Sequence, residues 1–373
     1  MSSATQSTST MTFDNIMRGV VIKGSRSVAI QDYAIPVPGV GEVLLEMQAS
    51  GLCGSDLRAI YRPEKPKFEG PEGYRGVVAG HEPCGKIVAI GPNVSPEWKV
   101  SDRVVVYHIH GCGSCRECRA GRFISCHSET GRQAYGWQRD GGHSDYILAS
   151  AVDLVKLLEP LSYIDGSVIA CGLGTAYAAT LRAQISGLDT VLVTGMGPVG
   201  LGAALLAQKE GANVYGLEVD PARRQAAEEL GICTLDGASP KVKETITELT
   251  GGYGPSVVID CSGHPAARLT GLEVAREWAR IVFVGEGGSV TFDVSPLVIH
   301  KSLTIYGSWV CSISQMEQLV ENLVKWKLFP EKVVSHVFSV QEAEKAYSLF
   351  DSGKSGKVII ASEEEAKRWK ESK

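Results

Sequence analysis

Asp189–Gly211, DTVLVTGMGPVGLGAALLAQKEG, is the stretch whose reading decides the fold. Val191, Leu192 and Val193 run apolar without alternation, as in a parallel strand covered on both faces. Gly195-Met196-Gly197-Pro198-Val199-Gly200 follows at once, and the Ala- and Leu-rich remainder reads as a helix. A GxGxxG alone is a weak signal. Between a strand and a helix it has the setting that a dinucleotide turn needs. Gly195 permits the tight turn, Gly197 lets a pyrophosphate approach the backbone, and Gly200 allows close helix–strand contact. Pro198 and Val199 open the helix, whose free N–H groups and positive dipole end attract the anion. The next strand, NVYGLEV, ends at Glu218, eighteen residues past Gly200. A carboxylate there accepts the ribose hydroxyls of NAD and repels a 2′-phosphate. Asp220 is the alternative acid, and Arg223 and Arg224 keep NADP as the alternative cofactor.

Outward from this turn the pattern repeats. NVYGLEV, PSVVIDCSG, ARIVFVGEG and LTIYGSW read as strands, with helices at PARRQAAEELG and HPAARLTGLEVAREW between them. Strands alternating with helices imply an α/β, doubly wound parallel sheet. The half before Ala149 differs. RGVVIKG, SVAIQDYAI, GEVLLEMQAS, GKIVAIG and DRVVVYHI are short strands separated by Gly, Pro and Asn, which suggests a β-rich half-barrel. Tyr61–Tyr74, YRPEKPKFEGPEGY, reads as a surface loop. The chain closes with a helix at Ser314–Lys327, strands at VVSHVFSV and KVII, a helix at EAEKAYSLFDSG, and a charged helical tail.

The 373 residues suit two domains. Forty-two acidic against thirty-seven basic residues give −5, with no long run of one sign. That balance argues against nucleic acid or an anionic membrane as partner. No apolar run approaches the roughly 20 residues that span a bilayer. Residues 1–16 are Ser/Thr-rich and read as a disordered leader, so a cytoplasmic location is expected.

Four of the ten cysteines, Cys112, Cys115, Cys118 and Cys126, stand in GCGSCRECRAGRFISC with spacing C-x2-C-x2-C-x7-C. Thiolates this close suit a tetrahedral zinc, and four protein ligands close the site to substrate. Disulfide pairing is the competing reading, disfavoured in a reducing compartment. A second set comprises Cys53 in GLCGSD, His81-Glu82 in AGHEPCG and Cys171 in IACGLGTAY. Each singly reads as a core residue. Beside a nicotinamide-type fold, Cys, His and Cys make a zinc site with an open fourth position, where the metal acts as a Lewis acid on a substrate oxygen. Glu82 is a neighbouring or intermittent ligand, and Asp56 a partner for the other nitrogen of His81.

GLCGSD, GHE, the cysteine lobe, SDRV and strand–GMGPVG–helix occur in the order they take in zinc-dependent medium-chain dehydrogenases, and the chain resembles that alcohol/polyol/threonine dehydrogenase family from about Met17 to Ser362. The resemblance implies a GroES-like catalytic domain (17–172 and 310–373) split around a Rossmann NAD-binding domain (173–309). It implies Cys53, His81, Glu82 and Cys171 at a catalytic zinc, and Cys112, Cys115, Cys118 and Cys126 at a structural one. It places Ser55 as the proton relay, Val199 behind the nicotinamide ring and Thr175 near it, and suggests a homodimer or homotetramer. Two positions depart from common family patterns. Arg58 stands where a histidine often ends the proton path, and an arginine does not release its proton at ordinary pH. Cys171-Gly172 replaces the Glu-Pro common in polyol enzymes. His108, with His110, Tyr135, Trp137 and Asp140 nearby, is the expected substrate wall. The expected reaction is oxidation of a primary or secondary alcohol, including polyols and sugar-like alcohols, with NAD. The alternatives are an NADP(H)-preferring carbonyl reductase and a non-enzymatic zinc- and nucleotide-binding relative.

Overall fold

The computed structural model describes residues 16–65, 73–129 and 131–373. Val191, Leu192 and Val193 are buried in β1 (Thr190–Thr194). With β2 (Asn213–Glu218), β3 (Cys233–Asp236), β4 (Val257–Asp260), β5 (Arg280–Phe283) and β6 (Thr304–Gly307), this strand forms a six-stranded sheet ordered β3-β2-β1-β4-β5-β6. Every pairing is parallel. The connections carry helices α1 (Pro198–Lys209), α2 (Pro221–Glu229), α3 (Val242–Leu249) and α4 (Pro265–Val274). Strand order reverses between β1 and β4, and ligands of such sheets bind at the carboxyl ends beside that point. The doubly wound expectation holds.

Helix α4 stops at Val274, short of the Trp278 the sequence suggested. Lys301 Nζ donates to the carbonyls of Leu272, Glu273 and Ala275 at 3.0, 2.6 and 2.9 Å. A cation there satisfies the last free carbonyls and ends the helix.

A second, seven-stranded sheet runs in the order Val334–Phe338, Lys357–Ala361, Glu42–Gly51, Pro83–Ile90, Arg103–Val106, Leu154–Lys156, and Tyr146–Ser150 also pairs with Glu42–Gly51. Its C-terminal strand lies antiparallel to Glu42–Gly51, with Ile359 opposite Gly51 and Ala361 opposite Ala49. The chain therefore leaves this sheet, builds the parallel one, and returns to finish the first. A hairpin of Ile16–Gly24 and Ser27–Ala34 packs alongside.

One helical run, Tyr163–Ala183, corrects a sequence expectation. Its 21 residues are long and apolar enough to cross a membrane by length and composition, yet 83% of the apolar window is buried inside the protein. It is a core helix: Val168, Ile169, Ala170, Leu173, Ala176 and Tyr177 join the main hydrophobic cluster. Of the proposed leader, residues 1–15 lie outside the described residues, and Ile16 already begins the first strand. The Tyr61–Tyr74 segment is a surface loop only in part. Tyr61 and Tyr74 are buried at its ends, and 66–72 lie outside the described residues.

Candidate active site and metal centres

Strand Glu42–Gly51 ends just before Cys53, which keeps an extended backbone and opens the short helix Gly54–Asp56. That helix continues as a π-helical turn, Leu57–Tyr61. His81 and Glu82 immediately precede strand Pro83–Ile90, whose first residue faces Ser50. Cys171 lies on a second π-helical turn, Ile169–Leu173, inside the buried helical run. Such turns recur at functional sites. Three elements thus bring the ligand atoms of Cys53, His81, Glu82 and Cys171 within 4.8 Å of one another.

The surrounding side chains hold this cluster in place. His81 Nδ1 donates to Asp56 Oδ1 at 2.9 Å, and Trp137 Nε1 donates to the same oxygen at 2.9 Å. The first bond leaves Nε2 as the ligating nitrogen of His81. Lys357 Nζ forms an ion pair with Glu82 Oε2 and donates to the Leu52 carbonyl at 2.8 Å. Gly51 makes room for this pair, since a Cβ there would fall 1.8 Å from Glu82 Oε2 and 2.8 Å from Lys357 Cε. Asp56 Oδ2 and Glu82 Oε1 are buried with no hydrogen bond.

The electrostatics follow from this packing. The Cys171 thiol and, against the effect of burial, His81 hold Cys53 well below the usual thiol range. Cys171 is pushed up correspondingly by its contact with Cys53 and by burial. Burial alone would lower His81, but the Asp56 carboxylate raises it well above the ordinary histidine value. Burial lifts Glu82 to about 7, with Lys357 restraining the rise. Two sulfurs, an imidazole nitrogen and an orphaned carboxylate oxygen share one buried space. A divalent cation fits this donor set by displacing the protons it holds.

The second cluster is local. The Sγ atoms of Cys112, Cys115, Cys118 and Cys126 lie within 4.8 Å of one another, on a lobe built from the short helix Arg116–Arg119 and the turn Phe123–Ser125. Cys112 and Cys118 Sγ are 3.9 Å apart. The edge of a tetrahedron with about 2.3 Å metal–sulfur bonds is about 3.8 Å. Cys112 Sγ receives the Cys115 N–H at 3.3 Å and the Ser114 hydroxyl at 3.5 Å, and Cys126 Sγ receives the Cys112 N–H at 3.4 Å. The Ser114 hydroxyl and the backbone N–H groups of Cys115 and Ser114 pull Cys112 down to about 5. The arrangement fits a closed tetrahedral metal. None of the ten cysteines forms a disulfide. Cys118, Phe123 and Cys126 anchor the lobe in the main core.

At the dinucleotide turn, Gly195 adopts φ +86 and a Cβ at Gly200 would lie 1.8 Å from the Gly195 carbonyl oxygen. At Gly197, which caps α1, a Cβ would meet nothing within 4 Å, so the backbone faces open space where a phosphate fits. Glu218 Oε2 accepts the Met196 N–H at 2.8 Å, and its Oε1 accepts those of Val219 and Asp220 at 2.8 and 3.0 Å. Asp220 caps α2 through the Arg223 N–H at 3.0 Å. Arg224 Nη1 is engaged by the carbonyls of Glu218 and Val219 and by Asp236. Arg223 stands 4.0 Å from Glu218. Val199 lies in the first turn of α1, and Thr175 lies four residues beyond Cys171 on its helix.

The residues of the expected substrate wall are held by specific contacts. His108 is buried, its ring 5.6 Å from that of His81, and its Nδ1 donates to the Ala170 carbonyl at 2.6 Å. Burial and the charge on His81 lower it to about 4, so it is neutral, with Nε2 an acceptor. His110 Nδ1 and the Tyr135 hydroxyl both bond Asp153 Oδ2 at 2.8 Å. Asp140 accepts the Val78 N–H at 3.0 Å. These bonds fix the positions of the three side chains, and Trp137 supports Asp56. Lys357 escaped the sequence reading, because a lysine at the start of a strand looks solvent-facing. Arg132, its guanidinium 4.8 Å above the Trp309 ring, carried no pattern. Nor did His143, bonded to the Tyr347 hydroxyl at 3.0 Å.

Comparison with known proteins agrees. The alcohol dehydrogenase GroES-like domain matches residues 39–159, and the zinc-binding dehydrogenase domain matches 198–325. An uncharacterised zinc-type alcohol dehydrogenase-like protein, YphC, of Escherichia coli K12 is 45% identical over 92% of this chain and 98% of its own. Sorbitol dehydrogenase of Halalkalibacterium halodurans is 31% identical over 90% and 96%. The solved structure of an E. coli alcohol dehydrogenase, rspB, complexed with NADH matches at TM-score 0.82 and 27% identity, covering 93% of this chain and all of its own. With the GroES-like domain and the parallel sheet both present, the chain belongs to the zinc-dependent medium-chain dehydrogenase family.

Proposed function

We propose that the protein is an NAD-dependent zinc alcohol dehydrogenase that oxidises a primary or secondary alcohol, with polyols the favoured class, to the aldehyde or ketone. The observation that carries this reading is the convergence of Cys53, His81 and Cys171 beside Glu82. These residues would hold a catalytic zinc, and Cys112, Cys115, Cys118 and Cys126 a structural one. The zinc would supply a Lewis acid for the alcohol oxygen, and NAD the hydride acceptor. The chain's own groups do the rest. The Ser55 hydroxyl, two residues after Cys53, takes the alcohol proton. Asp56 fixes the His81 tautomer. Glu218 holds the ribose, and its charge disfavours the 2′-phosphate of NADP. Val199 backs the nicotinamide, with Thr175 beside it. Neutral His108 offers an acceptor to a second hydroxyl, consistent with a polyol and with the name of the sorbitol dehydrogenase relative.

In this reading residues 17–172 and 310–373 form the catalytic domain and 173–309 the nucleotide domain. β6, largely exposed at the edge of its sheet, would pair with a second copy. The setting is cytoplasmic, where thiols stay reduced. The test is NAD reduction over a panel of alcohols and polyols, with NADP in parallel. The reading expects turnover with NAD and at least one multi-hydroxyl substrate. No reduction with any alcohol would refute it.

A further inference from the structure

We propose that Arg58 and Glu286 form a positioning pair that fixes the reacting carbon of the substrate against the nicotinamide. This rests on the dehydrogenase reading above. Arg58 Nη2 lies 2.5 Å from Glu286 Oε2, joining residues 228 positions apart in sequence. Arg58 stands three residues after Ser55, on the π-helical turn that continues the short helix Cys53 opens. Glu286 follows β5 at the carboxyl edge of the parallel sheet.

Its loop is firmly held. Arg268 Nη2 donates to the Gly285 carbonyl at 2.5 Å, Nη1 to that of Gly288 at 3.2 Å, and Nε to Asp260 Oδ2 at 2.8 Å. Asp260 Oδ1 accepts the hydroxyl of Thr194, the last residue of β1, at 2.8 Å. Thr194 leads directly into Gly195, so a continuous bonded path runs from the dinucleotide turn through Glu286 to the turn bearing Ser55. Among the described residues, this is the one ion pair joining the loops of the two sheets.

Exposure argues against a stability role. The two side chains are 50% and 49% exposed, and such pairs add little to folding. Hydride transfer, in contrast, depends on reacting atoms being held close to van der Waals contact and in line. A contact worth little to folding can therefore matter to rate when it spans the reacting gap.

The experiment uses the zinc-loaded enzyme and four proteins: wild type, Glu286→Gln, Arg58→Gln, and the charge swap Arg58→Glu/Glu286→Arg. It measures kcat, KM for the alcohol, the NADH dissociation constant by fluorescence titration, zinc content, melting temperature and the primary deuterium isotope effect. Each single change is expected to lower kcat about fivefold, which is about 1 kcal/mol. NADH affinity, zinc content and melting temperature should hold, the isotope effect should rise, and the swap should recover most of the loss. Single variants with wild-type kcat overturn the proposal, as does a kcat loss matched by loss of NADH affinity or zinc, or a swap without recovery. A wild type that binds no NADH and oxidises no alcohol overturns the dehydrogenase reading and this pair with it.

Discussion

Lys357→Met tests whether the buried ion pair beneath the metal-ligand cluster holds it in shape. The Lys357 and Glu82 side chains are 2% and 0% exposed. Methionine keeps the length and removes the charge, which leaves the Glu82 carboxylate buried without its cation and the Leu52 carbonyl without its donor. Breaking a buried pair by removing one partner costs about 3–5 kcal/mol, because the remaining charge is uncompensated. The lost hydrogen bond adds about 1 kcal/mol. Removing both charges in Lys357→Met/Glu82→Gln should cost much less than the two single changes together, with a coupling of about 3 kcal/mol. Urea unfolding of the four proteins at about pH 8.5, above the value of about 7 to which burial lifts Glu82, and at one zinc concentration closes the cycle. Additivity to within about 0.5 kcal/mol, or a Lys357→Met cost below about 1 kcal/mol, would refute the reasoning.

Two further outcomes follow from buried groups. Burial lowers the folded-state pKa of His143 from 6.5 to about 4. Because this value is depressed, its stability contribution is complete above pH 6.5 and disappears as pH falls toward 4, an acid-side loss of about 3 kcal/mol. His143→Gln should flatten the stability curve across that window, and an unchanged acid slope in denaturation at pH 4.5–7 would contradict it. Glu218→Ala removes the acceptor of three N–H groups at the dinucleotide turn. NAD should bind about tenfold more weakly, about 1.4 kcal/mol, while the NADP/NAD preference shifts toward NADP. An unmoved cofactor ratio would show that Glu218 does not set it.

What was legible in the sequence was short-range. The glycine turn and the four-cysteine lobe write their geometry within a few residues, so spacing alone implied both: the four sulfurs lie within 4.8 Å of one another and Gly197 leaves open space at the turn. Cys53, His81 and Cys171 were found only through their order around the nucleotide motif, since no local pattern links them. The supporting contacts were invisible for the same reason. Lys357 reaches the Leu52 carbonyl across 305 positions, and Trp137 reaches Asp56 across 81. Nothing local marks those partners. Arg58 stood out as a missing histidine, but its real partner, Glu286, depends on how two sheets meet. His110 and Tyr135 looked like substrate wall because they flank the lobe, yet the buried Asp153 carboxylate captures both.

Zinc content measured against turnover tests the central claim most directly, because the two clusters are assigned different work. Wild type should carry two zinc ions per chain. Cys53→Ser should carry one and lose all turnover with a substrate found in the alcohol panel. Cys112→Ser should also lose one zinc, at the expense of stability, while its folded fraction still reduces NAD. A wild type with one zinc and full activity, or Cys53→Ser retaining turnover, would contradict the assignment of the chemistry to Cys53, His81 and Cys171.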